Sequence, residues 1–169
     1  MTAHSWENWS GSVQAQPSQI ASPRSETELA QLVTQHDEVR VTGAGHSFMP
    51  LCETDGLLLR LDNLEGEPTI AEDGKSAWAP AGWSLAKLTQ WLWDRGYSLP
   101  NQGDVNPQSL AGAISTGTHG TGADLGSLAT IASGFRLMLA DGSVVECGPG
   151  ENETLFQAQR LSLGLLGIA

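Results

Sequence analysis

The sequence predicts a mixed α+β domain, and three observations carry that prediction. Apolar residues recur at helical spacing behind two serine caps, short apolar runs flank Asp-Gly turns, and an apolar run after the first helix enters a glycine-rich loop. Hairpin strands and crossover strands therefore share one chain.

The elements follow in order. Residues 8–23 read as an extended entry, in which Ser12-Val13-Gln14-Ala15-Gln16 alternates as a short strand. Ser25-Glu26-Thr27-Glu28 matches the S-x-x-E capping box, and Leu29, Leu32 and Val33 form the apolar face of the helix it opens. Val39 to Thr42 reads as a buried strand, and Leu57 to Leu61 as a second one after the Asp55-Gly56 turn. Asp73-Gly74 separates Thr69-Ile70-Ala71 from Ser76-Ala77-Trp78-Ala79, the pattern of a hairpin. Ser84 caps a helix with Leu85, Leu88 and Leu92 inward, and Gly96 stops it. A further hairpin joins Leu137-Met138-Leu139 to Ser143-Val144-Val145-Glu146 through Asp141-Gly142, and Glu153 to Gln159 reads as a short helix. The apolar stretch Leu163 to Ala169 resembles a strand cut partway through, so residues 1–169 are expected to be the N-terminal piece of a longer protein.

Composition bounds the function. At 169 residues, 40% hydrophobic, the chain suffices for one domain with a real core. A formal net charge of −11 argues against nucleic acid, whose phosphates call for a basic surface, and against anionic membranes. No apolar run approaches the roughly 20 residues of a membrane span. The start, Met1 to Trp6, lacks the basic and apolar regions of a secretory signal. Cys52 and Cys147 are far apart and form no CxxC, which reads as two reduced thiols in a cytoplasmic protein. The sequons at Asn8 and Asn152 then carry little meaning.

Two histidines sit in glycine-rich settings: His46 in Val41-Thr42-Gly43-Ala44-Gly45-His46-Ser47-Phe48, and His119 in Thr116-Gly117-Thr118-His119-Gly120-Thr121-Gly122. Such segments make poor helices or strands, but they can wrap a large polar cofactor closely. A nicotinamide fingerprint fails, because Phe48 stands at the third glycine position and Pro50 opposes a following helix. A phosphate loop fails at Gly74-Lys75-Ser76, which lacks the earlier glycine, and no GxSxG elbow is present. Between Pro100 and Thr130 there is no Lys or Arg. A pyrophosphate there would rest on neutral donors: backbone N–H groups of glycine turns, with the hydroxyls of Ser109, Thr116 and Thr118.

The imidazoles have other readings. His46 and His119 have no third partner at a metal-site spacing, so no metal is expected, while a hydrogen-bonded core histidine stays open for His119. His4 and His36 read as solvent-facing, and Trp91 and Trp93 as packing or surface residues. Together the two glycine segments favour a flavin over a metal or a simple phosphate.

Gly43-Ala44-Gly45-His46-Ser47-Phe48, Pro100-Asn101-Gln102-Gly103-Asp104, Ser109-Leu110-Ala111-Gly112-Ala113 and Thr116-Gly117-Thr118-His119-Gly120 occur in that order. The set resembles the PCMH-type FAD domain of the vanillyl-alcohol-oxidase superfamily, in its sugar-1,4-lactone and alditol oxidase branch, where D-arabinono-1,4-lactone oxidases belong. The resemblance runs from Trp9-Ser10-Gly11 to Leu163-Gly164.

That resemblance implies two α+β subdomains clasping FAD. Val41, Thr42, Gly43, Ala44, Gly45, His46 and Ser47 would wrap the flavin, with His46 matching the residue of the covalent 8α bond. Gly103, Asp104, Ser109, Gly112, Thr116, Gly117, Thr118 and His119 match further cofactor positions, although many relatives carry serine where Asp104 stands. Ile168 and Ala169 match a late backbone contact, and Gly103 matches a position beside the oxygen-reacting carbon. The implied reaction oxidises a secondary alcohol of a sugar lactone or polyol, with hydride passing to flavin N5 and electrons to O2 or another acceptor. Substrate and acid/base groups would come from a C-terminal cap domain outside these residues, so no catalytic base is assigned. The other reading is a stand-alone module that binds flavin without oxidising a sugar.

Overall fold

A buried asparagine shapes the start of the chain in the computed structural model, which describes residues 4–169. Met1, Thr2 and Ala3, part of the stretch read for a leader, lie outside the described residues. Strands β1 (Trp6–Glu7) and β2 (Gln14–Ala15) pair antiparallel. Between them Asn8, 3% exposed, accepts the Val13 N–H through Oδ1 at 3.1 Å and donates from Nδ2 to Ser12 Oγ at 3.1 Å. A carboxamide taken out of water needs such partners.

The three-stranded sheet is wholly parallel. Strand β3 (Gln19–Ala21) leads through helix α1 (Glu26–Thr34) to β4 (Val39–Thr42), and β5 (Leu57–Arg60) inserts between β3 and β4. Leu57, Leu58 and Leu59 are all fully buried, as a central parallel strand covered on both faces requires. Leu29 and Val33 of α1 pack on Leu57 and Leu59, as the helical spacing predicts. Ser25 Oγ accepts the Glu28 N–H at 3.2 Å. The Glu28 carboxylate instead takes the Arg24 N–H at 2.8 Å, one residue beyond the capping-box partner. Val39, Arg40 and Val41 are only half-buried, a correction to the buried strand expected there, because β4 is an edge strand.

The second part begins with the predicted hairpin of β6 (Thr69–Ile70) and β7 (Ala77–Trp78). Helix α2 (Leu85–Trp93) is capped by Ser84, buries Leu85, Leu88 and Leu92, and is followed by Gly96 at φ +79. Helix α3 (Leu110–Ser115), in a stretch read as glycine turns, is capped by Ser109, whose Oγ accepts the Gly112 N–H at 3.2 Å. A short α4 (Leu128–Ile131) packs on α3. Strands β8 (Phe135–Met138) and β9 (Val144–Cys147) form the second predicted hairpin, followed by α5 (Glu153–Gln159). The architecture is α+β, with four small sheets among the described residues.

Alternation along β8 joins the cores. Met138 packs with the α1–β5 cluster, whereas Phe135 and Leu137 pack with Cys147 and Phe156. Arg136 faces out and makes two bonds to Glu26 at 2.9 and 2.8 Å, and one to Glu146 at 3.1 Å, tying α1 to this hairpin. Its guanidinium holds the Glu26 carboxyl below its ordinary pKa.

Two further readings need correction. Leu163 to Gly167 is not a strand: Leu163 (φ +53) and Gly164 (φ +75) occupy the left-handed region. Only Ile168 is extended enough to bridge Met138, with N–H···O distances of 2.8 and 2.9 Å. His36 is half-buried rather than solvent-facing, its Nδ1 2.8 Å from Leu32 O and its Nε2 3.3 Å from Gln19 Oε1.

Candidate functional site

Strand β4 ends at Thr42, which is buried, and delivers the chain to an exposed loop. Val41 packs on the α1–β5 core, so its side chain anchors the loop from below. The Cys52 thiol bonds Val41 O at 3.3 Å and is pushed up in pKa by burial.

The loop is clamped from one side. Trp9 N–H donates to Gly45 O at 3.1 Å, and Asn8 Nδ2 donates to Ser47 O at 2.9 Å. In a trans peptide the carbonyl and the following N–H point in opposite directions. The N–H groups of His46 and Phe48 therefore face away from the Asn8–Trp9 segment. Among the described residues no protein acceptor takes the N–H of Gly43, Ala44, Gly45, His46, Ser47 or Phe48. Gly45 permits this arrangement: it sits at φ +65, and a Cβ there would lie 3.2 Å from the Trp6 ring. Backbone N–H groups left without a protein acceptor in this way can bind an anion.

The first glycine loop meets the start of α3. A Cβ on Gly43 would overlap Ser109 Oγ and lie 2.8 Å from Ser109 Cβ, so the loop touches the start of α3. Gly103 in turn packs on Thr118, where a Cβ would lie 2.9 Å from Cγ2. Gly43, Ser109 and Gly112 thus cluster at one end of α3, and Gly103, Thr118 and His119 at the other. Asp104 and His119 are exposed, which removes the core reading of His119; its Nδ1 lies 2.8 Å from Gly120 O. Ile168 and Ala169 lie apart from the loop. They line a cleft of about 850 Å³ together with Leu110, Ala111 and Ile114 of α3, and none of residues 43–48 lines it.

The donors of the second segment are divided. The N–H groups of Thr116, Gly117 and Thr118 close the end of α3 on Gly112, Ile114 and Ala113 carbonyls at 3.2, 3.1 and 2.9 Å. Those of His119, Gly120, Thr121 and Gly122 have no protein acceptor among the described residues. The Thr116 hydroxyl is taken, donating to Gly112 O at 2.9 Å, whereas that of Thr118 remains usable. Gln108 Nε2 donates to Thr118 Oγ1 at 3.0 Å, which leaves the Thr118 proton free to point outward. Gln108, whose buried Oε1 has no partner among the described residues, was not among the sequence candidates; its place directly before the Ser109 cap is the only signal it gave.

His46 is half-buried and stacks on Trp9, with ring centroids 5.1 Å apart and planes 11° from parallel. Phe48 meets the same indole edge-on at 5.7 Å. No group of three or more His, Cys, Asp or Glu among the described residues could hold a metal ion, and no described helix is long and apolar enough to cross a membrane.

Comparison with known proteins fits this geometry. A family described as an FAD binding domain matches residues 17–148. The chain is 36% identical over 167 residues to L-gulono-1,4-lactone dehydrogenase of Mycobacterium tuberculosis, covering 96% of this chain and 38% of that protein. It is 36% identical over 169 residues to L-gulonolactone oxidase of Scyliorhinus torazame, covering 98% of this chain and 38% of that one. It is 35% identical over 173 residues to D-arabinono-1,4-lactone oxidase of Yarrowia lipolytica, covering 98% and 33%. The chain thus spans less than two-fifths of the length of these relatives. Matched over residues 17–148 and 35–36% identical to these relatives, the chain belongs to the FAD-binding-domain family of the vanillyl-alcohol-oxidase superfamily.

Proposed function

We propose that this chain is the FAD-binding part of a sugar-1,4-lactone oxidoreductase. The observation that carries the reading is the loop Gly43–Phe48, whose N–H groups have no protein acceptor among the described residues while its Gly45 and Ser47 carbonyls are tied to Trp9 and Asn8. The names of the relatives favour a lactone over an alditol as substrate. When bound, FAD supplies the two-electron acceptor for oxidising a secondary alcohol carbon, with O2 or another acceptor downstream. The sheet β3–β5–β4 with α1 forms one subdomain, the elements from β6 to α5 form the other, and the cofactor lies across their junction at Gly43 and Ser109.

The residues divide the work by their chemistry. Backbone N–H groups of Gly43 to Phe48 and of His119 to Gly122 hold the polar chain of the cofactor, helped by the Ser109 and Thr118 hydroxyls, since the Thr116 proton is already bonded to Gly112 O. Neutral donors suffice because a pyrophosphate in a nest of N–H groups needs no cation. His46, on the outer face of the loop, carries the cofactor covalently through a ring nitrogen. Ile168 and Ala169 make their contact from the cleft side of α3. Substrate-holding and acid/base groups lie outside these residues. A module that binds flavin without oxidising a sugar stays as the second reading, and substrate reduction separates the two.

Gly117 is a poor probe of this site. At φ +69, with a Cβ only 3.0 Å from Leu161, any larger residue there strains the fold itself. Gly43 is better. Gly43→Ala pushes the loop off Ser109 and is expected to weaken FAD binding by about tenfold or more, or ~1.4 kcal/mol. Ser109→Gly removes the clashing side chain together with its hydroxyl, so it should cost less affinity in Gly43→Ala than in the wild type, a coupling that calorimetric titration reads directly.

The covalent assignment is tested separately. Wild-type protein should keep flavin fluorescence on a denaturing gel, and His46→Ala should lose it while still binding FAD. Flavin released entirely from the wild type would leave a dissociable site.

The substrate assignment is read by anaerobic mixing. In a protein carrying this chain together with a cap domain, L-gulono- or D-arabinono-1,4-lactone should bleach the flavin, whereas residues 1–169 alone should not respond. A full-length protein inert to both lactones would favour the binding module.

A further inference from the structure

We infer that Trp9 is the positioning residue of His46: its indole fixes the imidazole in the orientation from which a ring nitrogen forms the flavin bond. This inference rests on the covalent reading of His46 given above.

Trp9 is 56% exposed, so burial does not explain its placement. Its contacts are specific instead. The backbone N–H bonds Gly45 O, directly before His46, and the ring lies nearly parallel to the imidazole at 5.1 Å. Phe48, 66% exposed, braces the indole edge at 5.7 Å. Neither His46 nitrogen has a hydrogen-bond partner among the described residues. The usual means of fixing an imidazole, a bond to one nitrogen that orients the other, is therefore missing. Stacking is what remains to restrict the ring. It covers one face and leaves the edge, with both nitrogens, open.

Orientation matters because of the chemistry asked of His46. The imidazole nitrogen forms a C–N bond to the flavin 8-methyl carbon, and one hydrogen is lost from each partner. The electron pair released enters the flavin ring system, and dioxygen then removes it as hydrogen peroxide. A ring free to swing about its side-chain bonds would seldom present the nitrogen at bonding distance. A ring held against Trp9 is already aligned.

Apo-protein from riboflavin-starved cells is mixed with FAD in air, and acid-stable flavin is followed with time in wild type, Trp9→Ala and Trp9→Phe. Trp9→Ala should bind FAD within about threefold of wild type but form the covalent bond up to about tenfold more slowly, the scale of one aromatic stack. Trp9→Phe, which keeps a flat ring, should restore most of the rate. In apo-protein the His46 ring protons should be shifted upfield by the indole, and Trp9→Ala should abolish that shift. Equal bonding rates in wild type and Trp9→Ala overturn the positioning role, as does an unshifted His46 spectrum. A wild type that binds FAD but holds none of it covalently, with the upfield shift intact, overturns the covalent reading and this role with it; the intact shift tells that failure from a misplaced indole.

Discussion

The site depends on which way the carbonyls of one loop point. Asn8 and Trp9 take the Ser47 and Gly45 carbonyls inward, so the N–H groups between them turn out. Asn8 can do this because its own carboxamide is buried and multiply bonded within the β1–β2 turn. A buried carboxamide without those bonds would cost about 1–3 kcal/mol, so the turn and the loop hold each other in place. The first residues of the described chain thus serve a loop some forty positions later.

Helix α3 is the second constraint, and it is short. Ser109 at its start touches Gly43, its apolar side lines the cleft with Ile168 and Ala169, and Ile114 packs against two core clusters. The contacts that hold the second part of the chain together therefore also set the distance between the two glycine segments. The cost of this economy is visible in the donors. Closing α3 uses the N–H groups of Thr116, Gly117 and Thr118 and leaves those of His119 to Gly122 without a protein acceptor among the described residues. In a chain of net charge −11 with no Lys or Arg from Pro100 to Thr130, backbone dipoles are the positive groups that this stretch offers an anion.

Much of this was legible in the sequence, for physical reasons. Ser25 and Ser84 announced their helices because a serine cap followed by i, i+3, i+4 apolar residues has few other uses. The Asp73-Gly74 and Asp141-Gly142 hairpins followed from turn chemistry alone. Helix α3 obeys the same cap rule, with Leu110, Ala113 and Ile114 behind Ser109, but the glycines on both sides read as a continuous loop. The half-burial of β4 was not legible, since edge or centre is decided by strand order and β5 enters later in the chain. The Leu163–Gly167 turn depends on left-handed residues, one of them a leucine, that no local pattern announces. At the site, local motifs marked His46 and the glycines. The roles of the parts supplied from a distance, Asn8, Trp9 and Gln108, were not legible, because they arise only when separate segments meet.

The most direct test of the account is the backbone amide spectrum of this 17.8 kDa chain during titration with FAD. The outward donors should move most: amides of Gly43 to Phe48 and of His119 to Gly122, with Thr116, Gly117 and Thr118 shifting much less because their N–H groups stay bonded within the protein. The largest shifts falling instead on Thr116 to Thr118, with the Gly43–Phe48 amides unmoved, would contradict it.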